Sequence, residues 1–283
     1  MLTGMAKRIS ENSTAGARSV RLDDGEMYVV EDGMPDAPAL LLISNAAVPT
    51  AMWDTMIPRL AAEFHVIRVD LLGHGRSAGP ASRYDIPTHA RKVGQVLDLL
   101  GITRVTVVGH SSGCTVVTAL AEQRPALVTA MILIDFGSTP AAKIPEPLTT
   151  RLLVTTFPGR LLWRLRNENT LRKAAENGFT RPVDIPEALV EHLMGMTHQS
   201  MVGSLRAPLA YLGQRSLPDR LTALGLPLLV IFGEADQRWR SSCAADYRAV
   251  PGARIEMLPG VGHIPMLEDP ETTAALLRDF ATI

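Results

Sequence analysis

The chain has 283 residues, 46% of them hydrophobic and 20% charged, with a formal net charge of −1. These values suit one large globular domain, or one carrying a smaller insertion, and exclude a disordered or fibrous chain. The near-zero charge gives no electrostatic case for nucleic acid or an anionic membrane.

Two cysteines, Cys114 and Cys243, cannot build a disulfide framework and have no metal-ligand neighbours. Residues 1–11 hold no apolar run of signal-peptide type. No apolar run approaches the roughly 20 residues a membrane span needs. A cytoplasmic setting, as a monomer or homodimer, is therefore expected. No two histidines have ligand spacing beside a carboxylate, so neither metal nor cofactor is expected.

In chain order, segments 17–22 and 26–31 alternate around Asp23-Asp24-Gly25, a hairpin signal. Residues 39–43 are continuously apolar, the mark of a strand buried on both faces of a parallel sheet. Residues 53–63 read as helix, 64–70 as strand and 87–100 as helix, with Gly101 just past its end. A strand over 104–108 stops at Gly109-His110-Ser111-Ser112-Gly113 and turns directly into a helical pattern over 114–122. A serine hydroxyl is a poor nucleophile unless it is held clear of the backbone beside a base, and a sharp strand-to-helix turn does that. Glycines two positions either side of Ser111 suit such a turn, because a Cβ there would collide with neighbouring backbone.

After the strand 130–134 the alternation breaks. Residues 138–215 contain helical stretches at 148–156, 160–177 and 185–197, punctuated by Pro158, Pro182, Pro186 and Pro208. Alternation then resumes with strand 227–232, helix 241–250, strand 253–258 and helix 271–281. The expected architecture is α/β: a doubly wound, mostly parallel sheet flanked by helices. Its core spans 1–137 and 216–283, with a helical cap at 138–215 over the sheet's ligand-binding edge.

With these segments in place, the chain resembles the α/β-hydrolase superfamily over nearly its whole length apart from the cap. The resemblance implies the order Ser, acid, His, each on a loop after a strand. Phe232-Gly233-Glu234-Ala235-Asp236 ends an apolar strand as the family's acid loop does, which points to Asp236, with Glu234 and Asp135 as alternatives. Pro259-Gly260-Val261-Gly262-His263 follows the last strand and puts the base on His263. Chemistry makes the same demand: Ser111 needs a neutral imidazole to take its proton, and that imidazole needs a partner to fix its tautomer. His74, in Asp70-Leu71-Leu72-Gly73-His74-Gly75-Arg76-Ser77, resembles a family loop with an architectural role. His65, His89, His192 and His198 read as structural or surface residues.

Many family members carry His-Gly after the third strand, whereas this chain has Ser44-Asn45, with Trp53 at the family's offset. Ser-Asn there resembles enol-lactonases of aromatic degradation. The oxyanion donors implied are the backbone N–H groups of Ser112 and Ala46, with Asn45 and Ala47 as alternatives to Ala46. The candidate substrate-contacting residues are Asn45, His110 within the elbow, Trp163 in the cap and Trp239 after the acid. Leu152, Phe157, Leu161, Leu162, Met194, Met196 and Met201 either line an apolar pocket or pack cap helices together. Arg151, Arg164, Arg206 and Arg215 either hold a substrate carboxylate or form a solvated face.

A serine nucleophile argues against haloalkane and epoxide hydrolysis, which need a carboxylate to form the ester intermediate. The expected activity is hydrolysis of an ester or lactone of a small-to-medium apolar substrate through an acyl-enzyme. The alternatives are C–C bond hydrolysis of the meta-cleavage type, acyl transfer or cyclisation in a secondary pathway, and ligand sensing on the same fold.

Overall fold

The computed structural model describes residues 16–282 apart from 24, 46–47, 78, 80–84, 156 and 177. Eight strands form one sheet: β1 (Ala17–Leu22), β2 (Gly25–Asp32), β3 (Ala39–Ile43), β4 (His65–Val69), β5 (Val105–His110), β6 (Val128–Ile134), β7 (Leu228–Gly233) and β8 (Arg254–Leu258). Their spatial order is β1-β2-β4-β3-β5-β6-β7-β8. The first two strands pair antiparallel, β2 joins β4 antiparallel, and every later pairing is parallel. The order reverses at β3, and the sheet is doubly wound.

The sequence explains which strands lie centrally. β5 and β7 are buried at every position, and only the first residue of β3 is partly open. Unbroken Val, Leu and Ile runs cover both faces, as a parallel sheet under two helical layers requires. On one side, α2 (Ile86–Leu99) and α3 (Gly113–Gln123) pack with Val93, Val96, Val117 and Leu120 against Leu41, Val107 and Val230. On the other, α1 (Ile57–Leu60), the turn before it and the C-terminal α10 (Pro265–Glu268) and α11 (Pro270–Ala281) bring Leu60, Trp53, Met266 and Leu277 against Leu42, Val108 and Ile231.

Between β6 and β7 run α4 (Leu148–Leu153), α5 (Phe157–Arg164), α6 (Glu168–Glu176), α7 (Glu187–Gly195), α8 (His198–Gln214) and α9 (Leu217–Leu224). Several expected helices differ from those observed. Residues 160–177 divide into α5 and α6, because Asn167 accepts from the Thr170 N–H and starts a new helix. Pro208 lies inside the 17-residue α8 instead of ending a helix. Tyr211 and Leu212 anchor the far end of that helix in the core, and the Tyr211 hydroxyl donates to Glu122, itself paired with Arg220. Residues 53–63 hold a short 3₁₀ turn, Thr50–Trp53, followed by α1. Ser241–Ala249 is 3₁₀, not α.

His89 on α2 is enclosed beside His74, with ring centroids 6.2 Å apart, and burial lowers its pKa to about 4. A folded-state value below the ordinary histidine range means the unfolded chain takes up the proton first as pH falls. The associated stability is fully present above about pH 6.5 and is lost as pH falls toward 4. His89→Asn should therefore show a melting-temperature deficit at pH 7.5 that narrows at pH 4.5. An unchanged deficit in thermal denaturation at both values would contradict this account of His89.

Candidate active site

β5 runs buried to its last residue and delivers the chain to a turn that few sequences can make. Ser111 has φ +52°, a left-handed conformation costing about 1–3 kcal/mol in a non-glycine residue. The Ser111 N–H donates to the Ile134 carbonyl, and the Ser111 carbonyl accepts from Cys114 N–H at 2.9 Å, which fixes the turn. A Cβ on Gly109 would lie 2.7 Å from the Cys114 nitrogen, and one on Gly113 would lie 2.3 Å from the Ile43 carbonyl oxygen. Both contacts are with backbone, so both positions need glycine. Ser112 stands at the N-terminus of α3, an 11-residue helix whose dipole favours negative charge there.

Two loops converge on this turn. The one after β8 presents His263, whose Nε2 lies 2.9 Å from Ser111 Oγ. The one after β7 presents Asp236, whose Oδ2 lies 2.9 Å from His263 Nδ1. Asp236 Oδ1 accepts the backbone N–H groups of Arg238 and Trp239, so the carboxylate is fixed on one oxygen and faces the imidazole with the other. The Asp236 side chain is fully buried and that of His263 nearly so, which keeps their interaction in a low-dielectric setting. With Nδ1–H donated to Asp236, Nε2 is left as the acceptor for the serine proton. This is a hydroxyl, an imidazole and a carboxylate in series.

Asp135 takes a different place. It follows β6 with φ +49°, and its Oδ1 accepts the Gly233 N–H at 2.7 Å, bracing β7. Burial, reinforced by the charge of nearby Asp236, raises its pKa well above the usual carboxylate range, and among the described residues Oδ2 has no hydrogen-bond partner. Asp236 is thus the carboxylate in contact with the imidazole.

The candidate substrate-contacting residues fare differently. His110 has no exposed surface, and its Nε2–H donates to the His263 carbonyl at 2.7 Å. Burial, with the neighbouring His263, lowers its pKa to about 3. It braces the base from beneath and has no surface to offer a substrate. Trp163 is enclosed by Met196 and Met201, donates to the Met196 carbonyl and lies under the Arg166 guanidinium. Trp239 packs edge-on against Phe136 and over Gly137, where a Cβ would sit 2.1 Å from its ring. Both indoles are packing residues in this structure. Asn45 is half-buried, and its carbonyl accepts from Val48 N–H. Ala46, the expected second oxyanion donor, lies outside the described residues, as does Ala47. The His74 loop is held by Asp70, which accepts from Thr50 and Arg76 N–H groups. Among the described residues no group of three His, Cys, Asp or Glu side chains could hold a metal ion.

Glu268 is a site residue that the sequence pattern did not single out. It is buried on α10, and its Oε2 accepts from the backbone N–H groups of Thr180, Arg181 and Gly262 and from the Thr180 hydroxyl. One carboxylate thereby ties the His263 loop to the chain between α6 and α7. The available signal was the first carboxylate after the apolar run Ile264-Pro265-Met266-Leu267 that follows the histidine. Glu268→Ala strands the backbone donors of Thr180, Arg181, Gly262 and Ile264 and should cost about 3 kcal/mol or more in urea unfolding. Glu268→Gln, which keeps one oxygen acceptor, should cost less; equal stability of both variants and the native chain would contradict this role.

The model of the alpha/beta hydrolase family matches residues 46–276. An uncharacterized protein of Mycobacterium tuberculosis is 31% identical over 263 residues, covering 86% of this chain and 75% of its own. The enol-lactonase from Burkholderia xenovorans superposes with a TM-score of 0.75 at 20% identity, covering 94% of this chain and 100% of that one. The 2-hydroxy-6-oxo-6-phenylhexa-2,4-dienoate hydrolase from a Rhodococcus strain superposes with a TM-score of 0.79 at 20% identity, covering 94% and 98%. At such identities the two structures show a shared fold.

Proposed function

The chain belongs to the alpha/beta hydrolase family, and on that premise we propose that it is a serine hydrolase cleaving an ester or lactone of a small-to-medium apolar substrate. The observation that carries the reading is the unbroken series Asp236, His263, Ser111, with both contacts at 2.9 Å and the serine on a strained turn. Ser111 Oγ attacks the carbonyl carbon while His263 Nε2 takes its proton. The oxyanion forms beside the N-terminus of α3, where the Ser112 N–H is the proposed donor. As the tetrahedral intermediate collapses, His263 returns the proton to the leaving alkoxide. A water molecule, deprotonated by the same nitrogen, then releases the acid. Asp236 stays ionised and stabilises the imidazolium.

An ester or lactone suits this arrangement because its leaving oxygen needs only one proton, which His263 already holds. The printed activity of the enol-lactonase neighbour is consistent with the same class of bond. The Rhodococcus neighbour is by its printed name a hydrolase of 2-hydroxy-6-oxo-6-phenylhexa-2,4-dienoate, a compound with no ester or lactone, which makes a carbon–carbon bond the second candidate. A panel of p-nitrophenyl esters of graded chain length, simple lactones and vinylogous diketones tests the assignment. Turnover of esters or lactones with a burst of alcohol release is expected. Exclusive turnover of the diketones would replace the proposed substrate class with carbon–carbon cleavage.

A further inference from the structure

The large hydrophobic residues that the fold leaves in solvent between Leu148 and Leu165 are not scattered. Leu148, Leu152, Phe157, Leu161, Leu162 and Leu165 are all exposed, with Phe157 at 80%, Leu148 at 70% and Leu165 at 69%. Among the described residues, the other exposed large hydrophobic side chains are Met34 and Leu99. The exposed apolar surface is therefore concentrated on α4 and α5. On α5 and the turn that ends it the pattern is ordered: Phe157 and Leu161 recur at i and i+4 on the helix, Leu165 follows just past its end, and all three are exposed, while Gly159 and Trp163 are buried. Leu148 and Leu152 make the matching i, i+4 pair on α4.

The charge around this ridge has one sign. Residues 147–167 contain Arg151, Arg160, Arg164 and Arg166 and no Asp or Glu. Arg166 is committed to the Trp163, Met194 and Met196 carbonyls. Arg151, Arg160 and Arg164 are exposed, and among the described residues no carboxylate pairs with them. Arg160 and Arg164 form their own i, i+4 row beside the apolar one. Arg160 also borders a groove of about 720 Å³ running to α8, where Arg206 and His198 stand over Val154 and Val202.

We propose that α4 and α5 form a docking face for an anionic phospholipid surface. Leucine and phenylalanine side chains enter the acyl boundary, and the arginine row meets the phosphates, the arrangement of a basic amphipathic interfacial helix. The overall charge of −1 conceals this face, because the compensating acidic residues lie elsewhere in the chain. A second copy is a poorer occupant: a two-fold pairing across the ridge brings arginine rows together with no carboxylate between 147 and 167 to receive them. Among the described residues no helix is long and apolar enough to cross a membrane, so the contact is peripheral.

The full chain is sedimented with sucrose-loaded vesicles of phosphatidylcholine alone and of phosphatidylcholine with phosphatidylglycerol in equal parts. Binding to the phosphatidylglycerol vesicles is expected, weaker on phosphatidylcholine alone and reversed by high salt. Arg160→Gln with Arg164→Gln should weaken binding to the anionic vesicles roughly 25-fold, about fivefold for each charge near the surface. Phe157→Ser with Leu161→Ser should abolish binding to both kinds of vesicle. Unchanged melting temperature and unchanged turnover of a soluble ester in both variants ensure that the loss reports the face and not the fold. Failure of the native chain to bind phosphatidylglycerol vesicles would overturn the proposal. A dimer in sedimentation velocity that disappears in Phe157→Ser with Leu161→Ser, without vesicle binding by the native chain, would assign the face to a second copy instead.

Discussion

Ser111→Ala is expected to lower kcat by a factor on the order of 10⁴ to 10⁶ on any ester or lactone the native protein turns over. Removing Oγ leaves His263 Nε2 with only water to activate, and water lacks the placement that the elbow gives the hydroxyl. Residual catalysis should persist from the surrounding dipoles and binding contacts. The fold should not suffer, because among the described residues the Ser111 side chain bonds to His263 alone and the turn is held by backbone contacts to Ile134 and Cys114. Alanine also tolerates the left-handed φ about as poorly as serine does, so the strain is carried over. Steady-state kinetics and thermal melting together check this. Turnover within tenfold of the native rate, at an unchanged melting temperature, would remove Ser111 from the proposed nucleophile's role.

Asp236→Asn is expected to cost on the order of 10⁴ in kcat, through tautomer selection and not through loss of shape. The N–H groups of Arg238 and Trp239 both point at one side-chain oxygen of residue 236. An asparagine would turn its carbonyl oxygen toward those donors and its amide NH₂ toward His263 Nδ1. The imidazole would then accept at Nδ1 and carry its proton on Nε2, where it can no longer take one from Ser111. Asp135→Asn is the matched control. Burial and nearby Asp236 push the Asp135 carboxyl toward its neutral form, and its Oδ1 already accepts a backbone N–H. A neutral isostere keeps that bond, so kcat should change only a few-fold. Large loss in Asp135→Asn with little loss in Asp236→Asn would reverse the assignment of the acid.

The central sheet could be read from the sequence because its determinants are local. Unbroken apolar runs such as Ala39–Ile43 and Leu228–Gly233 have no helical period and no polar face, so only a doubly covered strand accommodates them. The candidate triad was legible for a related reason: Ser111, Asp236 and His263 each stand on the loop that follows a strand of the parallel part of the sheet, and parallel pairing brings those ends together. What failed depends on tertiary context. The break between α5 and α6 rests on one Asn167 cap within an otherwise periodic stretch, and Pro208 is carried inside α8 because Tyr211 and Leu212 are anchored in the core. His110, Trp163 and Trp239 have the composition of a binding site but sit in packed interiors, since residue type does not encode which side of a turn faces solvent. Glu268 was missed because its partners at Thr180 and Arg181 lie almost 90 residues away. Conversely, the leucines of α4 and α5 looked like cap packing until their exposure was known.

The most direct measurement is intact-mass and peptide analysis after reaction with a fluorophosphonate, which phosphonylates a serine only where a neighbouring base has activated it. A single adduct per chain, on the peptide containing Ser111 and absent from Ser111→Ala, is the expected result. An adduct on any other residue, or full ester turnover by a chain that takes up no label, would contradict the assignment of Ser111, His263 and Asp236 as the catalytic series.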